Sequence, residues 1–579
     1  MPPGRGGARI RVMARPHVPT LVCGILLLGA MAGAQSPAPP AVRVAEIFKD
    51  YTKPDSPGCA VGVYRNESIL HAAAFGMANL DHDVPLTPKS VFHVASVSKQ
   101  FTAAAILLLA QDGRLSLDDE VRTHIPELPD FGPRITIRHL VHHTSGIRDQ
   151  WDLLGFAGWR YSRDLITDDD VLTLLSRQKA LNFTPGDLHL YSNSGYTLLA
   201  IVVSRASGKS FREFTTERIF KPLGMTSTHF RDNFNEIVKN QAYGYAPAQG
   251  TFRLSVTNFD TAGATSLLTT VEDMARWHAN FDSHVVGGRT LIPAMLERGG
   301  LNSGERIPYA FGIAHWTYRG VPTIGHGGSD AGYRSAFLRF PEQRFGVSVL
   351  CNIGGPTNPT ELSRRVADLY LADVLKPAPA VTTSTDQPEV PLPPDQLLRL
   401  AGLYWNEQTA TAMQFVVDGG RLHVVFGGSK QPLKSLGGGW FVRAAGGPQQ
   451  VTFDLTNGGG QRLRMGSPTA AGDPLDRVEP FAPTPAQLES FAGLYRSDEI
   501  DLPFRVTLRD GTLRVERLKA APAALEPLMN DTFRAPMGIV RFTRDTAGAV
   551  TGFTVDAGRI RGLKFWKEQA ATRPSTAQK

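Results

Sequence analysis

Ser96-Val-Ser-Lys-Gln-Phe-Thr-Ala-Ala-Ala-Ile-Leu-Leu-Leu-Ala-Gln-Asp112 is the stretch on which the reading of this chain turns. Phe101, Ala104, Ala105, Leu108 and Leu109 recur at helical spacing, and Gly113 stands where a helix ends. From Ala103 to Ala110 the run is apolar on every side, which predicts a helix buried in a core. At its start Ser96 and Lys99 share one face, so an amine sits beside a hydroxyl. Burial of that lysine lowers its pKa toward neutrality, and a helix N-terminus favours negative charge on the serine oxygen. A second match to this spacing, Ser176-Arg-Gln-Lys179, falls late in a charged segment, opens no apolar helix, and reads as solvated surface.

Outward from this helix, residues 41–376 read as one mixed α/β unit. Strand-like runs at 60–64 and 68–75 open it, runs at 335–340 and 345–351 close it, and helical patterns lie between. Strands at both ends with helices between suggest one antiparallel sheet packed by helices. Residues 377–394 are rich in Pro and Thr without periodicity, as suits a linker. Beyond them the chain repeats itself. Leu400-Ala-Gly-Leu-Tyr404 recurs as Phe491-Ala-Gly-Leu-Tyr495, and Gly420-Arg-Leu-His-Val424 as Gly511-Thr-Leu-Arg-Val515. One register explains both matches, and alternating runs between Gly-rich turns point to two β-barrel or sandwich domains, 395–483 and 484–570.

The composition is that of a globular protein: 579 residues, 42% hydrophobic and 20% charged, which excludes a disordered, collagen-like or coiled-coil chain. The formal charge is +7, but Arg5, Arg9, Arg11 and Arg15 precede any acidic residue, and the rest of the chain is close to balanced. Nothing electrostatic therefore argues for nucleic acid as a partner. Those arginines precede an apolar run ending at Ala32-Gly33-Ala34, the pattern of a signal peptide over 1–34. The expectation is an exported protein, periplasmic or extracellular, with no stable membrane span after cleavage. Export permits a bridge between Cys59 and Cys351, but the burial habit of free cysteine favours two buried thiols.

Two further elements carry chemistry. Tyr191-Ser-Asn193 offers a phenol that relays protons and an amide two positions on, a weak signal alone because Tyr64-Arg-Asn66 and Tyr404-Trp-Asn406 match it. His326-Gly-Gly328 precedes strand-like residues, and its glycines let a substrate backbone approach a strand edge. Phe92-His-Val-Ala-Ser-Val-Ser-Lys-Gln-Phe-Thr102, Leu140-Val-His-His-Thr-Ser-Gly-Ile147, Pro185-Gly186 with Tyr191-Ser-Asn193, and Gly325-His-Gly-Gly-Ser329 occur in that order. As a set they resemble the serine β-lactamase and penicillin-binding protein superfamily, in the branch that holds class C β-lactamases, D-aminopeptidases and related esterases.

The resemblance implies an α+β fold: a β-lactamase-like antiparallel sheet flanked by helices, followed by two small all-β barrel-like domains. It implies Ser96 as nucleophile, and Lys99 and Tyr191 sharing the acid and base work. Asn193 would hold the substrate amide, and the backbone N–H groups of Ser96 and Ser329 would form the oxyanion hole, beside His326 and Gly328. No cofactor and no metal is expected. The third motif of β-lactamases usually starts Lys-Thr-Gly. Here His326, charged only part of the time near pH 7, and Gly327 stand in place of an ammonium and a hydroxyl. That disfavours substrates held by a carboxylate at this motif and favours D-aminopeptidase-like or esterase-like enzymes. Arg334 is a candidate partner for a substrate carboxylate, with a salt bridge the stronger reading. His142 and His143 read as turn residues, while Trp151, Trp159 and Tyr161 line a pocket or pack a core. D-aminopeptidases of this branch share the three-domain layout, and one barrel lends a loop to the site. Leu518–Met537 is the candidate here, against an ordinary hairpin connection. The function expected is an exported serine hydrolase cleaving a small peptide, amide or ester through an acyl-enzyme, foremost a D-aminopeptidase-like peptidase. An esterase, a class C-like β-lactamase and a penicillin-binding sensor without turnover are the alternatives. Contact of the β domains with the cell wall is left open.

Overall fold

The computed structural model describes residues 40–377, 387–426, 428–444, 450–456, 459–467 and 470–569. The signal-peptide reading of 1–34 and most of the linker lie outside these residues. Six strands form the sheet of the first domain: β1 (Cys59–Arg65), β2 (Ser68–Phe75), β3 (Ala314–Tyr318), β4 (Val321–Asp330), β5 (Tyr333–Phe340) and β6 (Phe345–Cys351). Their spatial order is β3-β4-β5-β6-β1-β2, and every pairing is antiparallel. β1 and β6 sit in the middle and are buried on both faces, which is why their sequences are unbroken apolar runs rather than alternating ones. The helices that flank the sheet or carry the site are α1 (Pro40–Ile47), α2 (Lys99–Gln111), α3 (Gln150–Phe156), α4 (Asn193–Ser207), α5 (Val271–Ser283) and α6 (Pro359–Tyr370). Val44, Phe48, Leu362 and Val366 cover one face of the sheet through Val61, Val347 and Val349. The other face packs through Ala60, Tyr64, Phe337 and Leu350 against the core that holds α2 and Trp277.

Two expectations are corrected. Cys59 and Cys351 are disulfide-bonded, not free thiols. They stand directly opposite one another in the β1–β6 register, with Cα atoms 4.0 Å apart, a pairing that only the fold reveals. The buried helix begins at Lys99 rather than at Ser96, because Ala95–Ser98 form a 3₁₀ turn ahead of it.

The duplicated region folds as two closed eight-stranded barrels, Gly402–Val478 and Gly493–Lys567, each entered by a short helix that starts with proline. The repeated tyrosine explains the motif. Tyr404 donates its hydroxyl to the Leu400 carbonyl at 3.0 Å, and Tyr495 to that of Phe491 at 2.7 Å, tying the helix end to the first strand. Leu422, Val424, Leu513 and Val515 point into the barrel cores. The core of the second barrel is continuous with that of the first domain, Phe156 stacking on Phe504 at 6.3 Å. Between them Arg148 and Glu499 form a buried ion pair, and Arg148 also donates to the Arg561 carbonyl at 2.9 Å.

Candidate active site

Ser96 lies on the 3₁₀ turn, directly after Ala95, whose φ of +48° costs an L-residue about 1–3 kcal/mol. Surrounding bonds hold the turn in place. Ser335 donates to the Val94 carbonyl at 2.7 Å, and the Leu267 N–H donates to Ser98 Oγ at 3.1 Å. Strand β4 presses on the same turn. A Cβ at Gly328 would stand 2.4 Å from the Val94 oxygen and 3.1 Å from Ala95 Cβ. Gly328 is therefore glycine because the turn carrying Ser96 needs the space, a different reason from the approach of a substrate backbone; Gly327 is the more open of the two.

Lys99, fully buried at the first turn of α2, aims its amine at three oxygens: Ser96 Oγ at 3.1 Å, Asn193 Oδ1 at 2.9 Å and the Ala264 carbonyl at 2.7 Å. Burial pushes its pKa down to about 7; Asp149 opposes that shift and Arg559 adds to it. Neutral lysine has two protons and one lone pair. Asn193 Oδ1 and the Ala264 carbonyl can only accept, so they take both protons and the lone pair is left facing the serine hydroxyl. Asn193 is oriented from its other end. Its Nδ2 and its backbone N–H both donate to Asp149 Oδ2, at 2.8 and 2.7 Å, which fixes which end of the amide meets the lysine. The amide predicted to hold substrate is thus engaged at both ends within the protein.

Tyr191 precedes α4, its ring 4.9 Å from the Lys99 amine and 4.2 Å from the ring of His143. Burial pushes the phenol well above its usual pKa, and the neighbouring Ser96 side chain eases it back. The hydroxyl completes no regular hydrogen bond among the described residues. His143 keeps the turn role expected of it: its φ is +58°, and its Nδ1 accepts the Ser192 N–H at 3.1 Å.

On β4, His326 corrects an expectation. Burial, aided by the Lys99 charge, pushes its pKa down to about 4, so the ring is neutral near pH 7. Its Nδ1 lies 2.6 Å from the Gly327 carbonyl, which can only accept, so Nδ1 carries the proton and Nε2 takes the Tyr309 hydroxyl at 3.0 Å. Arg334 makes no ion pair among the described residues, contrary to the stronger reading. It donates to the Ala331 and Tyr333 carbonyls at 3.0 and 2.7 Å.

These groups surround one cavity of about 620 Å³. Ser96, Tyr191, Asn193, His326, Gly328, Ser329 and Arg334 all line it, and Lys99 lies beneath its floor. Trp151 and Tyr161 form part of the wall, while Trp159 packs against the core instead. Ser176 and Lys179 are not among the lining residues.

Two participants escaped the sequence reading. Asp149 stands two residues beyond the Leu140–Ile147 stretch, and Arg559 belongs to the turn between the last two strands of the second barrel. Its guanidinium lies 5.0 Å from the Tyr191 ring centre and 3.2 Å from Asp149 Oδ2. The candidate loop does not line this cavity, in keeping with the ordinary hairpin connection that is the stronger reading of it. Leu518–Met537 contains a strand hairpin whose residues, with Arg517, border a separate cleft beside Gly155 and Phe156.

A family model described as Beta-lactamase matches residues 44–371, more than half of the chain. The chain belongs to the Beta-lactamase family. Penicillin-binding protein 4* of Bacillus subtilis is 32% identical over 306 residues, 49% of this chain and 65% of its own. A D-aminopeptidase of Gluconobacter oxydans is 28% identical, and there the match takes in 56% of its length, so it spans less than two thirds of these relatives. A D-aminopeptidase of Brucella ovis is 24% identical over 531 residues, 88% of this chain and 95% of that protein. Among solved structures, the octameric penicillin-binding protein homologue of Pyrococcus abyssi covers 82% of this chain at a TM-score of 0.51 and 21% identity, a likeness of fold.

Proposed function

We propose that this Beta-lactamase-family chain is an exported serine hydrolase that cleaves an amide or ester bond through an acyl-enzyme on Ser96. The observation that carries the reading is the Lys99 amine, buried, shifted to about 7 and aimed at Ser96 Oγ from 3.1 Å. Neutral Lys99 takes the serine proton as Oγ attacks the carbonyl carbon. The oxyanion forms against the backbone N–H groups of Ser96 and Ser329, each donor worth about 3–4 kcal/mol of barrier. Tyr191, held protonated by burial, is a donor rather than the base: it gives its proton to the leaving group as the bond breaks and takes the serine's proton from Lys99 in exchange, which returns both side chains to their neutral forms. Water then attacks the acyl-enzyme with Lys99 again as base, which frees Ser96 and the acid product.

Within that chemistry a D-aminopeptidase-like peptidase or amidase leads. The relatives named D-aminopeptidase support it, one of them over 88% of this chain and so beyond the first domain. Export is supported by the arginine-flanked apolar N-terminal run and by the Cys59–Cys351 bridge, which suits an oxidising compartment. The test is a fluorophosphonate probe. It is expected to label the protein, and Ser96→Ala is expected to abolish labelling; equal labelling removes Ser96 as nucleophile. Nitrocefin, p-nitrophenyl acetate and D-alanine p-nitroanilide, run side by side, separate β-lactamase, esterase and amidase. One equivalent of product without turnover marks a sensor.

A further inference from the structure

We propose that Asp330, through the side chains of His93 and Thr265, is the positioning group of this site: one buried carboxylate oxygen clamps together the three segments that carry the nucleophile, the acceptor of the lysine proton and the second oxyanion donor. The inference rests on the acyl-enzyme reading of Ser96 and goes beyond it to what holds the reacting groups in register.

The three side chains come from parts of the chain far apart in sequence and meet at one atom. Thr265 donates its hydroxyl to Asp330 Oδ2 at 2.5 Å, and His93 Nε2 lies 3.0 Å from that oxygen and 3.0 Å from Thr265 Oγ1. A carboxylate only accepts, and the one threonine proton is spent on it, so Nε2 carries a proton and shares it between the two oxygens. Each member stands beside a working group. His93 ends the short strand Phe92–His93, three residues before Ser96. Thr265 follows Ala264, whose carbonyl accepts from the Lys99 amine. Asp330 follows Ser329 at the end of β4, where the two-residue turn Ala331-Gly332 sends the chain back as β5. That turn fixes the carboxylate: Ala331 sits at φ +43°, and a Cβ on Gly332 would stand 2.3 Å from the Tyr245 nitrogen.

Packing alone does not call for this cluster. All three residues are buried, and apolar side chains of the same volume are often at least as stable as a buried charged group with its partners. His93 Nδ1 and Asp330 Oδ1 find no partner among the described residues, which adds to the cost. Asp330 and Thr265 border the cavity, but Oδ1 is closed off from solvent, so the carboxylate acts on its neighbours and not on a bound molecule. It acts in two ways. Its hydrogen bonds set the separation of the Ser96 and Ser329 N–H groups, since the strand before one and the strand end after the other meet in it. Its charge supports the Lys99 proton against burial, as that of Asp149 does. The other charged and titratable groups around it are Tyr333 and Arg334 on β5, and both spend their hydrogen bonds elsewhere, Tyr333 on the Ala242 carbonyl and Arg334 on those of Ala331 and Tyr333.

The experiment uses the full chain and follows the rate of fluorophosphonate labelling at Ser96 against pH, because the phosphonyl oxygen occupies the oxyanion position. Asp330→Asn keeps the shape and removes the charge. It is expected to slow labelling at the plateau by about 100-fold, the effect of a displacement of about 1 Å. It is also expected to move the midpoint of the profile below that of wild type, because the charge that favours protonated Lys99 is gone. Thr265→Val keeps the volume and the Asp330 charge but not the hydroxyl; it is expected to slow labelling with the midpoint in place, and Thr265→Ser is expected to restore most of the rate. An unchanged rate in Asp330→Asn or in Thr265→Val overturns the clamp and leaves the Ser96 reading standing. A slower rate with an unmoved midpoint in Asp330→Asn, or an equal loss in Thr265→Ser and Thr265→Val with a lower melting temperature, marks a role in stability alone and overturns it as well. Should Asp330→Asn not fold, the threonine pair decides. Failure of wild type to label at all overturns both readings.

Discussion

Replacing Lys99 by methionine separates stability from chemistry. An exposed lysine titrates near 10.5, and burial moves Lys99 to about 7. Between those values the unfolded chain holds a proton that the folded one does not, so the contribution of this residue to stability rises with pH across that window and is flat below about 7. The burial penalty is therefore largest at low pH. From pH 6 to pH 9 these two pKa values give wild type a gain of about 2–3 kcal/mol that Lys99→Met lacks, each pH unit inside the window being worth about 1.4 kcal/mol. For a domain of this size that is a movement of about 3–5 °C in the gap between the two melting curves. Methionine also leaves Asn193 Oδ1 and the Ala264 carbonyl without their donor, a cost that does not depend on pH and drops out of the comparison. The assay is thermal unfolding of both proteins at half-unit steps of pH, followed by the transition of the first domain. Wild type is expected to gain on the variant with rising pH, and labelling of Ser96 in wild type is expected to rise with a midpoint near 7. A gap constant from pH 6 to 9 would show that Lys99 is charged in the folded protein and would refute its role as the neutral base.

Tyr191→Phe is expected to lower kcat/KM by about 10²- to 10⁴-fold with an unchanged circular dichroism spectrum. Its pH midpoint is expected to stay near 7, because the lysine sets it. Cys59→Ala with Cys351→Ala is expected to cost about 2–5 kcal/mol in denaturant unfolding, and reductant is expected to have no further effect on that variant. Arg148→Met strands Glu499 in the interface and is expected to cost about 3–5 kcal/mol, whereas Arg148→Met with Glu499→Leu is expected to recover most of the loss. Gly328→Ala forces the 3₁₀ turn aside and is expected to slow labelling of Ser96 while leaving the barrels folded, as read by protease resistance of the C-terminal half.

How far the chain can be read from its sequence depends on the range of the interactions involved. The Ser96–Lys99 spacing, the all-round apolar Ala103–Ala110 run and the repeated Ala-Gly-Leu-Tyr motif are local patterns, and local periodicity reports burial and element type directly. The central strands are legible for the same reason, since burial on both faces writes an unbroken apolar run. The bridge is not, because opposing two cysteines 292 residues apart depends on strand register. The neutral state of His326 is hidden from sequence because a histidine titrates according to what surrounds it. Its neighbours, the Gly327 carbonyl, Tyr309 and Lys99, are set by the fold. Arg559 leaves no signal at all. It is one arginine in a β-turn of a repeated domain, and its meaning comes from where that barrel docks.

That docking makes the second barrel part of the site. Arg559 and Asn193 share one oxygen of Asp149, and the shared oxygen turns the Asn193 carbonyl end toward Lys99. The amine then has a single direction left for its lone pair, and that direction is Ser96. A change in the barrel turn thus reaches the nucleophile through four side chains in hydrogen-bond contact, without a shift in the main sheet. Asp149→Asn tests this chain at its middle. An asparagine there keeps the shape but cannot accept all three N–H groups as well, so the Asn193 amide is freed to rotate. The loss should then appear in the rate of acylation of Ser96 rather than in the stability of the barrel.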